Sequence, residues 1–271
     1  MLLLLLRDYA GLLSVRQLAA ERKRAEGIAA ERNNAAQPSQ DQDHRMMVTM
    51  IGRIEVRPAD PSAMPARPRG ARQKSLLGTM VANELMGGRL ARSEFLQAAG
   101  IEVDHNDPKL ARDAVNSAIY RLRDIVGHDG IVTDHEIPRL NLDVVRVDLL
   151  DAASLLRNAT EALQHGRPAR ARDAAIRALQ HIQGEVPFPT LYEGLFEELR
   201  DDLENRLRLV VLRTATQALR EGDAEGAESL AGPAWGMLPG DDEIGELYCR
   251  ALEAQGRRAD AERVRKLMEA G

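Results

Sequence analysis

The stretch "DAVNSAIYRLRDIVGHDGIVTD" (113–134) puts arginine, asparagine, serine and tyrosine at helical spacing. Turned at 100° per residue, a helix over 109–126 carries Arg112, Asn116, Tyr120 and Arg123 on one stripe. Ser117, Asp113 and Asp124 flank that stripe, and Arg121 lies near its edge. Leu110, Ala111, Ala114, Val115, Ala118, Ile119, Leu122, Ile125 and Val126 fall on the other half. Arginine and asparagine make bidentate hydrogen bonds to guanine and adenine edges, while serine and tyrosine can hold phosphate. A helix built this way can pack on a domain with one side and offer the other to a major groove. An ordinary amphipathic surface helix has the same two-sided layout, so the stretch alone leaves both readings open.

Other chemistry is poorly represented. The six histidines are scattered, with no HExxH or Cys/His ligand spacing. "DHND" (104–107) offers ligand atoms but reads as a solvated loop, and no phosphate-loop, dinucleotide or nucleophile-elbow pattern occurs. Asn158-Ala159-Thr160 fits a glycosylation sequon inside a helical segment, a chance match. The expectation is a protein without catalytic residues, metal or cofactor. The single cysteine, Cys249, excludes an internal disulfide framework, reads as a buried small hydrophobe and fits a reducing cytoplasm.

The elements around 109–126 must position its polar stripe. "VTMIGRIEVR" (48–57) has strand character and is followed by the turn-rich "PADPSAMPARPRG". Residues 71–86 predict a helix with Leu76, Leu77, Met80, Val81 and Leu85 inward. "GGRLARSEFLQAAG" predicts a short extended piece and a second helix capped by Ser93. Pro108 starts the third helix, Gly127 ends it, and "GIVTDHEIPRLNLDVVRVD" predicts two short strands. Strand, three helices and a β-hairpin, over 48–150, is the order of a winged helix-turn-helix. The net charge of −5 argues against a chain built throughout to coat a polyanion, but residues 51–92 hold eight basic against three acidic side chains.

Residues 151–271 predict an all-α region with an internal repeat. Gly222 is followed by Ala227 and Ala234 at offsets of 5 and 12, and Gly256, 34 residues later, by Ala261 and Met268. Gly166, Ala171 and Ala178 show the same offsets. A turn glycine between two helices, with small residues where helices touch, is the tetratricopeptide signature at this period. Trp235 is expected to pack rather than to form a ligand platform. Upstream, "MLLLLLRDYAGLLSVRQL" is too short in its apolar run to span a bilayer and predicts an amphipathic helix within 1–32, its leucines covered by a partner surface. A remnant of a longer upstream sequence and a membrane contact by residues 1–13 are the alternatives. Residues 33–47 read as a linker.

"RGARQKSLL", "GRLARSEFL", "YRLRDIVG", "GIVT" and the repeat region, taken in order, resemble the antibiotic-regulatory-protein (SARP) family of bacterial transcriptional activators. The resemblance covers about residues 50–271. It implies an OmpR-type winged helix joined to a bacterial transcriptional activator domain of tetratricopeptide helices, thus a mainly α fold with small β-sheets. It further implies binding to double-stranded promoter DNA by a pair of protomers on direct repeats, and recruitment of RNA polymerase. Residue by residue, Arg121 and Arg123 match the arginines of the family's third-helix run, Asn116 matches a polar position upstream, and Arg72 and Lys74 match its basic first-helix run. Family helices preceding the recognition helix touch phosphate near their N-termini, which points to Arg92 and Ser93. Asp134 and Glu136 of "DHEIP" stand where the family carries a basic or proline run, and would repel phosphates. Arg139, on the next strand, could offset them. A second reading therefore stays open: a winged helix that no longer binds DNA, with helical repeats that hold, or dimerise with, a protein partner.

Overall fold

The computed structural model describes residues 44–60, 62–101, 108–133 and 137–270. The helix expected within 1–32, most of the 33–47 linker, the 104–107 loop and the hairpin residues Asp134, His135 and Glu136 lie outside the described residues, as do the side chains of Leu110 and Ala111. The described chain is mainly helical with small sheets. In order, it runs β1 (Met46–Thr49), β2 (Glu55–Arg57), α1 (Ala71–Leu85), α2 (Arg92–Ala98), α3 (Pro108–Val126), β3 (Ile131–Val132), β4 (Arg139–Leu140) and β5 (Val145–Val147). Six further helices follow: α4 (Asp148–Gln164), α5 (Pro168–Ile182), α6 (Gly194–Arg220), α7 (Ala224–Met237), α8 (Asp242–Ala254) and α9 (Arg258–Ala270). No helix among the described residues is long and apolar enough to cross a membrane.

The 48–57 strand resolves into a hairpin. β1 and β2 pair antiparallel with Val48 opposite Val56, both fully buried, and Gly52 takes φ 72° in the turn between them. The two strands expected after α3 are three. Asn141 divides them: its backbone N–H donates to the Gly130 carbonyl at 3.0 Å, and the N–H groups of Val144 and Val145 donate back to its own carbonyl. That tight turn redirects the chain from the β3–β4 pair into β5, which joins β1 in parallel and completes a sheet of order β2-β1-β5.

The helices follow their apolar patterns. α1 buries Leu76, Leu77, Met80 and Val81 completely, because α2, α3, β4, α4 and α6 all pack against it. Ser93 is not a cap: α2 begins at Arg92, and the N–H of the N-cap residue Ala91 donates to Glu94 Oε2 at 3.0 Å. α3 buries Ala118, Ile119, Leu122 and Val126, as its periodicity requires, and ends at Gly127 with φ 75°.

Residue 150 lies inside α4, so the boundary expected between 150 and 151 falls within a helix. The first core also runs across it, taking in Leu149, Ala152, Phe188, Leu191 and Phe196 alongside Val48, Leu77 and Leu122. A segment near residue 188 closes on the sheet: Phe188 N–H donates to the Met50 carbonyl at 2.8 Å and Gly52 N–H to the Val186 carbonyl at 2.9 Å. Arg200 of α6 holds that segment, donating to the carbonyls of Pro187 at 2.9 Å, Phe188 at 3.1 Å and Leu191. At Gly78 an added Cβ would clash with Leu191 Cδ1 and lie 3.3 Å from Phe196, so glycine lets the segment and α6 reach α1.

Beyond this core the helices stack as antiparallel pairs, α4 on α5, α6 on α7 and α8 on α9. Each pair turns at a glycine of positive φ, Gly166 at 63° and Gly222 and Gly256 at 79°. The hydrogen bonds repeat residue for residue. Arg167, Asp223 and Arg257 N–H groups donate to the carbonyls of Ala162, Ala218 and Leu252, five residues back in every case. The glycine N–H groups donate three residues back, to Leu163, Leu219 and Glu253. Ala171, Ala227 and Ala261, five residues past each glycine, are fully buried, as are Ala178 and Ala234 at offset 12. Cys249 is buried too, its thiol pushed up in pKa by desolvation. Trp235 packs on Tyr248, ring centroids 6.1 Å apart.

Candidate nucleic-acid interface

The outer side of α3 carries three of the four residues of the expected stripe, without Arg123, together with its flanking Ser117 and Arg121. Arg112, Asn116, Ser117, Tyr120 and Arg121 are all exposed, Tyr120 at 74%. The alternation of this face with the buried one arises from helical period alone, since Leu122 and Ile119 must enter the core. The polar side chains therefore point outward together.

Two grooves border the stripe. The first lies between α2, α3 and the β3–β4 hairpin; Phe95, Ile119, Ile137 and Pro138 form its apolar floor, and Arg92, Arg112, Asn116 and Thr133 its polar wall. It gathers three of the sequence-predicted residues, Arg92, Arg112 and Asn116, onto one concavity. Ser93 is exposed in the first turn of the short helix that carries Arg92. The second groove lies between residues 65–73 and the C-terminal half of α3, lined by Arg67, Arg69, Arg72, Gln73, Arg121 and Asp124. Arg72 and Arg121 both line it, together with Arg67 and Arg69, neither of which the sequence assigned to DNA contact although Arg69 opens the "RGARQKSLL" run. Their signal is the local excess of positive charge over 51–92, but both residues sit in a proline-rich turn with no periodicity to aim them.

Three predicted residues are placed elsewhere. Lys74 is half-buried and faces Thr190, Leu191, Tyr192 and Glu193, on a different side of α1 from Arg72. Arg123 is half-buried; one guanidinium nitrogen donates to the Ile131 carbonyl at 3.3 Å, tying the last turn of α3 to β3. Arg139 donates to the Gly88 carbonyl at 3.4 Å and lies beside Glu84. Burial pushes the Glu84 carboxyl up in pKa, and the Arg139 charge pulls it back down. Gly88, at φ 75°, admits the Arg139 guanidinium, which would lie 2.5 Å from an added Cβ. The Nε atoms of Arg123 and Arg139 are both buried and have no hydrogen-bond partner among the described residues, and each guanidinium is turned toward a backbone carbonyl of the domain rather than fully outward.

No group of three or more metal-ligating side chains occurs among the described residues. No protein-family model matches the chain, and no curated protein matches it significantly.

Proposed function

We propose that the protein is a non-enzymatic, DNA-binding transcriptional regulator that contacts promoter DNA through α3. The observation that carries this reading is the exposed stripe of Arg112, Asn116 and Tyr120, with Arg121 exposed at its edge, on a helix whose other side is buried. Support comes from the order of elements around it: a small sheet, three helices and a β-hairpin, the arrangement of a winged helix. The three like turns of the C-terminal helices support a tetratricopeptide-like region. With these features, the resemblance to the SARP family suggests an activator acting in the cytoplasm as a pair of protomers and recruiting RNA polymerase.

The test is selection of duplex fragments by the purified full chain, followed by binding of the selected sequence to variants. Arg112→Ala with Asn116→Ala removes two base-edge donors, each worth about 1–3 kcal/mol of discrimination, so affinity should fall at least about 10-fold. Failure of the wild-type chain to enrich or bind any fragment at low salt would refute the reading. The interior placement of Arg123 and Arg139 favours a second reading, a protein-interaction module whose hairpin does not reach DNA. That reading predicts a stable partner bound through 151–271 and no duplex binding.

A further inference from the structure

Glu55 is a buried carboxylate, 2% exposed, at the start of β2, and three arginines converge on it. The Nε atoms of Arg53 and Arg57 each lie 3.0 Å from Glu55 Oε1, and an amino nitrogen of Arg67 lies 3.5 Å from Oε2. The carboxylate is nearly enclosed while the three arginine side chains are 52%, 50% and 70% exposed. One negative charge at the back of the cluster thus orients three positive ones toward solvent, leaving a net excess of two. The isolated bridge between Val56 and Ala66 fixes the chain carrying Arg67 and Arg69 against β2. The Arg69 N–H donates to Gln73 Oε1 at 2.8 Å, which sets that residue at the start of α1.

Resting on the reading of α3 above, we infer that the groove of Arg67, Arg69, Arg72 and Arg121 is a backbone-binding site for the same DNA duplex. Four guanidiniums line it against one carboxylate, Asp124, and none is a lysine. Guanidiniums offer paired N–H groups that match phosphate oxygens, and the Glu55 contact orients one of the four, Arg67, in advance. Arg121 belongs both to this groove and to the edge of the α3 stripe. Arg112 and Arg121 lie about 14 Å apart along α3 and half a turn apart around it, so the two grooves border opposite edges of its exposed face. A duplex laid on that face would bring phosphates to both edges, which an isolated acidic side chain could not do. Residues 65–73 would thus add affinity that is independent of sequence, while α3 supplies the choice of bases.

The experiment measures fluorescence anisotropy of the full chain on a mixed-sequence duplex of about 40 base pairs, from roughly 50 to 200 mM KCl, a range over which phosphate binding separates clearly from other terms. Wild-type protein is compared with Arg67→Gln/Arg69→Gln/Arg72→Gln and with Arg167→Gln/Arg213→Gln/Arg220→Gln, which removes equal charge from the helical repeats. Both triple variants are checked for an unchanged melting profile. The first should lower the slope of log affinity against log salt by about one unit for each phosphate no longer neutralised, and weaken binding at least about 10-fold at the middle of the range. The second should leave both unchanged. A first-variant slope equal to wild type, or equal losses in both variants, overturns the groove while leaving the α3 reading intact. A polyglutamate peptide that binds the wild type, but not the first variant, while duplex affinity is unaltered assigns the groove to an acidic polypeptide and also overturns it. A wild-type chain that binds no duplex removes both proposals together.

Discussion

The two ends of the described chain are held together in different ways. Around the sheet, stability rests on residues far apart in sequence: Leu122 and Val48 share a core with Phe188 and Phe196, and Gly78 leaves room for Leu191. In the stacked helices after α4, it rests on a second buried core, on one local turn used three times and on charge pairs that mostly bridge alternate helices. Arg172 pairs with Asp223, Arg208 with Asp241 and Glu243, Arg257 with Glu228, and Arg265 with Glu253. Around α3, Arg69, Arg72, Arg112 and Arg121 are exposed and meet no carboxylate at ion-pair distance among the described residues. That group of arginines, on and beside one exposed helix face, directs the search for a polyanion to α3.

The comparison breaks first at Phe196. This fully buried ring packs on Phe188, centroids 5.1 Å apart, and joins α6 to the sheet-side core. Phe196→Ala should cost about 3–5 kcal/mol, the usual loss for a large buried aromatic. If the interlock couples the two regions, calorimetry should show one transition in the wild type and a separate, earlier melting of the sheet side in the variant. A single transition merely shifted downward would mean that the coupling lies elsewhere.

A second effect belongs to the junction itself. Asp148, the first residue of α4, accepts hydrogen bonds from Met50 N–H at 2.7 Å, Ile51 N–H at 3.2 Å and its own neighbour Leu149 N–H at 2.7 Å. Desolvation nonetheless raises its pKa to about 6, with Asp151 adding to the rise, because the three N–H groups only partly replace water. A carboxyl whose pKa is higher folded than unfolded binds more protons in the folded state between the two values. Its contribution to stability is therefore full below about pH 4 and is lost as pH rises through about 6, a span worth on the order of 3 kcal/mol. Urea midpoints at pH 4.5 and pH 7 test this. Asp148→Asn should compare better with wild type at pH 7 than at pH 4.5, and a difference independent of pH would exclude the assignment.

Gly78→Ala comes next. The added methyl would crowd Leu191 and Phe196 on a helix whose backbone accepts any residue, so overpacking is the only penalty, about 1–3 kcal/mol. Gly78→Ala combined with Leu191→Ala should lose less than the sum of the two single losses in chemical denaturation, because the second change makes room for the first. Losses that simply add would show that Phe196, not Leu191, sets the limit.

What was legible in the sequence follows the same division. The repeat could be read because a turn glycine and the alanines 5 and 12 residues later depend on neighbours within one helical pair. The two faces of α3 could be read because period and burial coincide there. The helical content and small sheets followed from the same patterns. The closure of residues 186–203 on α1 could not be read, since its partners lie more than 100 positions away and Gly78 looks like any glycine in an apolar run. Neither could the inward turn of Arg123 and Arg139, because helical spacing at one and strand alternation at the other give a direction and not the carbonyl waiting at Ile131 or Gly88. Ser93 misled for a related reason: a good capping residue stood two positions late, and Glu94 served the N-terminus instead.

The smallest effect tests the repeated turn. Gly256 holds φ 79°, and an added Cβ there would meet nothing within 4 Å. Its conformation, rather than its size, is what the turn needs. Gly256→Ala should cost about 1 kcal/mol, the left-handed penalty for a side chain without a polar group. Gly256→Asn should cost less, because asparagine tolerates that region. The melting temperature should fall by about 2–4 °C for the alanine variant in a chain of this size. Gly222→Ala should match it, since the same bonds close that turn and its Cβ also faces open space. If Gly256→Ala is neutral while Gly222→Ala is not, the last helical pair frays before the rest unfolds, and local repetition would not be what holds that end of the chain.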